Sequence, residues 1–256
     1  MSEANTERFD LIAFDLDDTL APSKSPLPDR MSRALTSLLH VGHVCVISGG
    51  QFGQFETQLL ANLQAGPEAL ANLHLMPTCG TRYLLFRDGE WRDVYARNLD
   101  QTERSEALRV LEEEARRLGL WESKTWGPIL EDRGSQITFS ALGQSAPVDA
   151  KKAWDPDRSK KEMLRAAVAP RLPNLEVRSG GSTSIDITRK GIDKAYGIAE
   201  LSKQTGIAIS DMLFVGDRLD EGGNDFPVKR LGIETHAVKD WADTADFVEK
   251  YVRSLR

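Results

Sequence analysis

Three short apolar runs constrain this chain most: Leu11-Ile12-Ala13-Phe14, Val44-Cys45-Val46-Ile47 and Met212-Leu213-Phe214-Val215. None alternates polar with apolar residues, so each asks to be buried on both faces, as a strand inside a parallel sheet is. Phe52, Phe55, Leu59, Leu60 and Leu63 share a helical spacing after the second run. Ile192, Ala195, Ile198 and Leu201 do so ahead of Gly206 and the third run. Strands alternating with helices predict an α/β core on a parallel sheet.

The middle of the chain follows another rule. Ser135 to Ser140 and Thr183 to Ile187 alternate polar with apolar residues, the pattern of a sheet with one wet face. Asp100 and Glu103 have capping-box spacing ahead of a stripe of Ala107, Leu108, Leu111, Ala115 and Leu118, closed by Gly119. A second helix around Lys160 to Ala169 stops at Pro170. The expected organisation is a core from residues 1–86 and 189–256 with an inserted α+β domain, 87–188, sitting over it as a cap. The hinges fall near Asp88-Gly89 and Arg189-Lys190-Gly191.

Charge and cysteine usage narrow the partners. Lys and Arg total 33 against 39 Asp and Glu, a net charge of -6 that repels a phosphate backbone and makes nucleic acid an unexpected partner. A small phosphorylated substrate stays open, because a local cation or bound metal overrides the global field at contact distance. Cys45 and Cys79 lack zinc-type spacing and suit a reducing cytoplasm. Residues 1–8 are polar and acidic, and no apolar stretch approaches the roughly 20 residues that span a bilayer, so an unexported cytoplasmic protein away from membranes is expected. His40, His43, His74 and His236 are dispersed and read as structural. Gly49-Gly50 lacks the continuation of a nucleotide-binding loop. Trp91, Trp121, Trp126 and Trp154 read as core of the insertion rather than as a sugar-stacking platform.

In an open parallel sheet the ligand crevice lies outside the carboxyl ends of the strands, so the residues following each apolar run are the functional candidates. The first run enters Asp15-Leu16-Asp17, two carboxylates at i and i+2 on one side of extended chain. An isolated Asp-x-Asp serves equally as an acidic loop. The second run enters Ser48-Gly49-Gly50, and the third enters Gly216-Asp217 followed by Gly222-Gly223-Asn224-Asp225, with Lys194 opening the helix before it.

Together these residues resemble the four-motif signature of the haloacid dehalogenase superfamily of phosphotransferases, in its branch with a large α+β (C2-type) cap. Within that branch the chain is similar to eukaryotic-type phosphomannomutases. This likeness rests on Phe14 to Leu20, Arg133 to Ser145, Gly180-Gly181 through Asp186, and the long Gly216-Asp217 to Asn224-Asp225 spacing.

The resemblance implies roles. Asp15 attacks phosphorus to form an aspartyl phosphate, and Asp17 protonates the leaving oxygen. Mg²⁺ is held by Asp15, the Asp17 carbonyl and Asp217 with Asp225 in support. Lys194, Ser48 and Gly49 hold phosphoryl oxygens. Lys24, Arg133, Ser184 and Asp186 contact the sugar phosphate. Relatives that dimerise do so through the cap, which suggests a homodimer.

By their local sequence alone Lys194 also reads as a solvated residue of a first helical turn and Asp225 as an N-cap. One departure bears on the outcome, because Trp126 and Gln144 stand where the family has two of three phosphate-gripping arginines. Two lost charge-assisted bonds at about 1.5–3 kcal/mol each favour water over sugar as the acceptor, hence a sugar-phosphate phosphatase. The alternatives are a mutase interconverting hexose 1- and 6-phosphates and a non-catalytic sugar-phosphate binder on the same fold.

Overall fold

The computed structural model describes residues 8–180 and 182–255, so the polar stretch 1–7 and Gly181 lie outside the described residues. In chain order the strands are β1 (Leu11–Phe14), β2 (His43–Ile47), β3 (Leu73–Met76), β4 (Arg82–Arg87), β5 (Glu90–Ala96), β6 (Leu130–Asp132), β7 (Gln136–Ser140), β8 (Leu175–Ser179), β9 (Ser184–Arg189), β10 (Met212–Gly216) and β11 (Glu234–Ala237). All three apolar runs are strands, and they lie side by side, with β1 between β10 and β2 and parallel to both.

Seven strands form one sheet in the order β11-β10-β1-β2-β3-β4-β5. Alternate residues of each central strand point to opposite faces, and helices cover both. Ile12, Phe14, Val44 and Val46 pack with Met31 and Leu35 of helix Asp29–Leu39 and with Val248 and Val252 of helix Trp241–Ser254. Leu11, Ala13, Cys45, Met212 and Phe214 pack with Ile198 and Leu201 of helix Lys194–Thr205, which Gly206 closes. Each large side chain fully buried there contributes roughly 1.5–3 kcal/mol, so the strands whose ends carry the functional candidates are rigidly held.

The chain parts into two compact units: residues up to Ala96 with those from Ile192 on, and Arg97–Gly191. The first boundary differs from the expected 86/87. Asp88-Gly89 is the turn of the β4–β5 hairpin, with φ of 54° and 85°. Both residues accept the positive φ that a two-residue hairpin turn requires, so what reads as a hinge pairs β5 onto the sheet.

The second unit holds its own antiparallel sheet, β6-β7-β9-β8, with helices Gln101–Arg117 and Ser159–Val168 contributing to its core. The capping box forms as expected, Glu103 N–H donating to Asp100 Oδ1 and Asp100 N–H to Glu103 Oε2, each at 2.8 Å. Pro170 sits in the short 3₁₀ turn Ala169–Arg171 that follows the second helix. The polar side of β7 is not wet: Gln136, Thr138 and Ser140 are 4 %, 1 % and 2 % exposed. Gln136 and Thr138 bond each other and Asp186 of β9 instead, and Ser140 accepts from Gln144.

Two further expectations change. The segment after β2 is not one helix but an α turn (Phe52–Gln54), a π turn (Phe55–Leu59) and a 3₁₀ turn (Leu60–Asn62) in succession. Among the tryptophans, Trp154 is buried and Trp121 and Trp91 pack partly against the cores, whereas Trp126 is exposed. No helix among the described residues is long and apolar enough to cross a membrane.

Candidate active site

The first unit gathers four of the sequence candidates into one buried cluster. β1 runs directly into Asp15, whose N–H extends the parallel ladder to Val215 O at 3.1 Å, so the carboxylate is fixed at the strand's end. Lys194 is the first residue of its helix, and the preceding Asp193 caps that helix by accepting from Tyr196 N–H at 3.0 Å. That entry geometry aims the lysine inward: it is 1 % exposed, and its Nζ lies 2.5 Å from Asp15 Oδ1 and 2.5 Å from Asp225 Oδ1.

Asp225 makes no capping bond to the turn it precedes. Its second oxygen accepts from Arg218 N–H at 3.1 Å, so both of its oxygens are engaged. Asp217 completes the group, accepting from Thr19 Oγ1 at 3.2 Å while its own N–H donates to the same hydroxyl at 3.1 Å. One carboxylate oxygen each from Asp15, Asp217 and Asp225 lies within 4.8 Å of the others.

Three carboxylates against one ammonium leave an excess of buried negative charge. Burial pushes the Asp15 carboxyl up to about 7, Lys194 pulling against it and Asp225 adding to it. Asp217 is raised for the same reasons, burial first and then Asp225. Burial opposes the charge on Lys194, but Asp15 and Asp225 outweigh it and hold the ammonium above its ordinary value. An all-oxygen set with surplus negative charge suits a hard divalent cation, and Mg²⁺ fits these donors.

Asp17 stands apart from the lysine in another network. Its Oδ2 accepts from Gln54 Nε2 at 2.9 Å, and its Oδ1 accepts from Gln58 Nε2 at 3.0 Å and from Lys24 N–H at 2.8 Å. Lys24 therefore touches Asp17 through its backbone, held at a φ of 56°. Ser48, at the end of β2, is buried and accepts from Gly50 N–H at 3.2 Å, with Gly49 between them in the turn.

Arg133, Ser184 and Asp186 belong to the second unit. Asp186 Oδ1 accepts from Gln136 Nε2 at 2.8 Å and Thr138 Oγ1 at 2.7 Å, and Ser184 pairs across the ladder with Ser140. Arg133 is ion-paired with Glu131 at 2.7 Å. At the two positions of departure, Gln144 donates to Ser140 Oγ at 2.6 Å and Trp126 is 46 % exposed.

Sequence reasoning missed Thr19, Gln54 and Gln58. Thr19 lies four residues after Asp15 in the same loop, a spacing that could have flagged it. Gln54 and Gln58 carry no local signal, because their partner is about 40 positions away in a different segment.

Residues 144–226 match the family of haloacid dehalogenase-like hydrolases. The chain is 25 % identical over 228 residues to a phosphomannomutase of Encephalitozoon cuniculi, covering 85 % of this chain and 83 % of that one. Its fold is similar to that of an N-terminally truncated Plasmodium falciparum IMP-nucleotidase, at a TM-score of 0.68 and 18 % identity over 98 % of this chain and 72 % of that one. It is also similar to a haloacid dehalogenase-like hydrolase from Bacteroides thetaiotaomicron, at 0.65 and 18 % over 95 % and 99 %. The match over residues 144–226 and the likeness to a phosphomannomutase over 85 % of the chain make it similar to the haloacid dehalogenase-like hydrolases, close to the phosphomannomutases, and indicate an enzyme of the phosphatase or phosphotransferase type.

Proposed function

We propose that this enzyme hydrolyses sugar phosphates through a phosphoryl group carried on Asp15. The observation that carries the reading is the buried Lys194 ammonium, 2.5 Å from both Asp15, at the carboxyl end of β1, and Asp225, in the loop region that follows β10. In-line attack by an Asp15 oxygen forms the acyl phosphate as the bond to the ester oxygen breaks. Lys194 fixes the attacking carboxylate and offers its remaining N–H to a phosphoryl oxygen. Ser48 and Gly49 serve those oxygens from the next strand end. Asp17 gives its proton to the departing sugar oxygen and afterwards takes one from the incoming water.

Asp15, Asp217 and the Asp17 carbonyl would hold Mg²⁺, with Asp225 anchoring the lysine beside them; the cation supplies the charge neutralisation that lets a carboxylate approach a phosphate dianion. Ser184 and Asp186 are the proposed sugar contacts.

A mutase is the second reading, and the phosphomannomutase relative favours it. Water as acceptor is supported by the second unit, where Arg133 is paired with Glu131, Gln144 with Ser140, and a tryptophan occupies position 126. Phosphorus NMR with Mg²⁺ and mannose 1-phosphate or glucose 1-phosphate, with and without the matching 1,6-bisphosphate, decides between them. Inorganic phosphate alone is the expected product. A bisphosphate-dependent 6-phosphate signal would establish the mutase, and a spectrum unchanged across hexose phosphates would remove both readings.

A further inference from the structure

The Asp17 carboxyl is enclosed by a closed ring of side-chain hydrogen bonds that none of the four motifs contains. Gln54 Nε2 donates to Asp17 Oδ2 at 2.9 Å and to Gln58 Oε1 at 2.9 Å, and Gln58 Nε2 donates back to Asp17 Oδ1 at 3.0 Å. The ring fixes the orientation of both amides, because each oxygen and nitrogen has one consistent role in it.

The backbone that carries the ring is unusual. Gln54 ends the α turn and Gln58 lies in the π turn Phe55–Leu59, a local insertion that recurs at functional sites. Gln58 is 3 % exposed, and its carbonyl accepts from Leu27 N–H at 2.8 Å, tying the turn to the chain that follows Asp17. Gln54 lies over Gly50, where an added Cβ would come within 2.8 Å of its amide carbon, so the ring also abuts the turn after Ser48.

The distribution of donors matters for proton transfer. Oδ1 receives two N–H groups, from Gln58 and Lys24, which fill its two lone pairs, whereas Oδ2 receives one, from Gln54. An amide donor orients a carboxyl without adding the charge that an arginine or lysine would bring.

We propose that Gln54 and Gln58 are positioning residues for Asp17, holding the plane of its carboxyl and leaving Oδ2 as the oxygen that exchanges the proton. The inference rests on the reading of Asp17 as the acid and base of phosphoryl transfer. In the first half-reaction the phosphorus–oxygen electron pair leaves with the ester oxygen, which takes the proton from Oδ2. In the second, Oδ2 takes the proton of the attacking water.

The test is the dependence of kcat/KM on the leaving group, measured with Mg²⁺ on aryl phosphates from p-nitrophenyl phosphate to phenyl phosphate. A good leaving group departs without a proton and a poor one does not. Gln54→Leu and Gln58→Leu are expected to stay within about threefold of the wild type on p-nitrophenyl phosphate and to fall about 10- to 100-fold on phenyl phosphate, a fraction of the full general-acid effect. Gln54 is partly exposed and its variant carries the test should the buried Gln58 variant fail to fold. Asp17→Asn run alongside separates the two ideas. If it steepens the leaving-group dependence while the glutamine variants run parallel to the wild type, or lose equally on every ester, the positioning role is overturned and the acid role stands. If Asp17→Asn leaves the dependence unchanged, the acid role itself falls and the inference with it.

Discussion

At the scale of single residues, the site is governed by charges that have been removed from water. Lys194 is the sole cation in contact with Asp15 and Asp225 among the described interactions, and all three are buried. Lys194→Met should therefore cost about 3–5 kcal/mol of stability at pH 7 in metal-free protein, since it strands two buried carboxylates. Left without its partner, folded Asp15 keeps its proton to a higher pH than in the wild type, where it is lost at about 7, so the variant goes on losing stability above pH 7 where the wild type levels off. The deficit should accordingly widen between pH 7 and pH 9 in urea unfolding, and an equal deficit at both would contradict a carboxylate origin. Wild-type Asp15, pushed up to about 7, makes a second prediction. A ligating carboxylate must be deprotonated, so Mg²⁺ affinity should fall by up to roughly tenfold for each pH unit below 7. Calorimetric titration at pH 8 and pH 6 reads this directly, and equal affinities would exclude Asp15 as a ligand. The acidic residues could be found from sequence because they follow strands that are plain in the hydrophobic pattern. The glutamine ring could not, because nothing in Gln54-Phe55-Glu56-Thr57-Gln58 records which residue from another segment will arrive against it.

At the scale of elements, the order of the seven-stranded sheet decides what each end can do. The strand ends of β1, β2 and β10 carry Asp15, Ser48 and Asp217, while a different set of polar groups crosses the sheet further along β2, β3 and β4. His43 Nδ1 and His74 Nε2 are 3.1 Å apart, and His74 Nδ1 is 2.7 Å from the Tyr83 hydroxyl. Two of the dispersed histidines form a pair because parallel pairing of β2 with β3 sets Cys45 opposite His74 and brings His43 alongside. Burial first, and His43 second, lower the His74 pKa to about 4. The unfolded chain takes up this proton near 6.5, so the stabilising contribution is complete above that value and lost as pH falls towards 4. At about 1.4 kcal/mol per pH unit the loss is at most about 3.5 kcal/mol. Urea midpoints at pH 7 and pH 5 should draw together in His74→Gln, and an unchanged gap would assign the acid sensitivity elsewhere. The π turn shows why element boundaries are harder to read than strands. Phe52, Phe55 and Leu59 fit a regular helix, and the hydrogen-bond shift that interrupts it is set by contacts with Asp17 and Leu27 rather than by the apolar spacing.

At the scale of the whole molecule, the two units differ in how the chain supplies them. The first is made from both ends of the sequence, so its sheet closes only after β10 and β11 return to β1. The second is continuous, and among the described residues its core, from Leu99 through Ile137, Phe139 and Leu164 to Ile187, lies within Arg97–Gly191. The alternation of β7 and β9 and the capping box at Asp100 announce such a module in the sequence. Its first boundary is misplaced because a turn with positive φ looks the same whether it links units or closes a hairpin. Buried Gln136 and Thr138 and half-buried Asp186 bond one another within the unit. A domain of this size with its own core and internally paired polar groups meets the conditions for independent folding. Residues 97–191 expressed alone should therefore give a dispersed amide NMR spectrum and a single cooperative urea transition. The remaining segments, 8–96 and 192–255, joined by a short flexible linker, should retain Mg²⁺ binding at Asp15 and Asp217 while losing selectivity among sugar phosphates. A collapsed spectrum from the excised unit would mean that its core is completed by the other, and that the insertion is a module in sequence only.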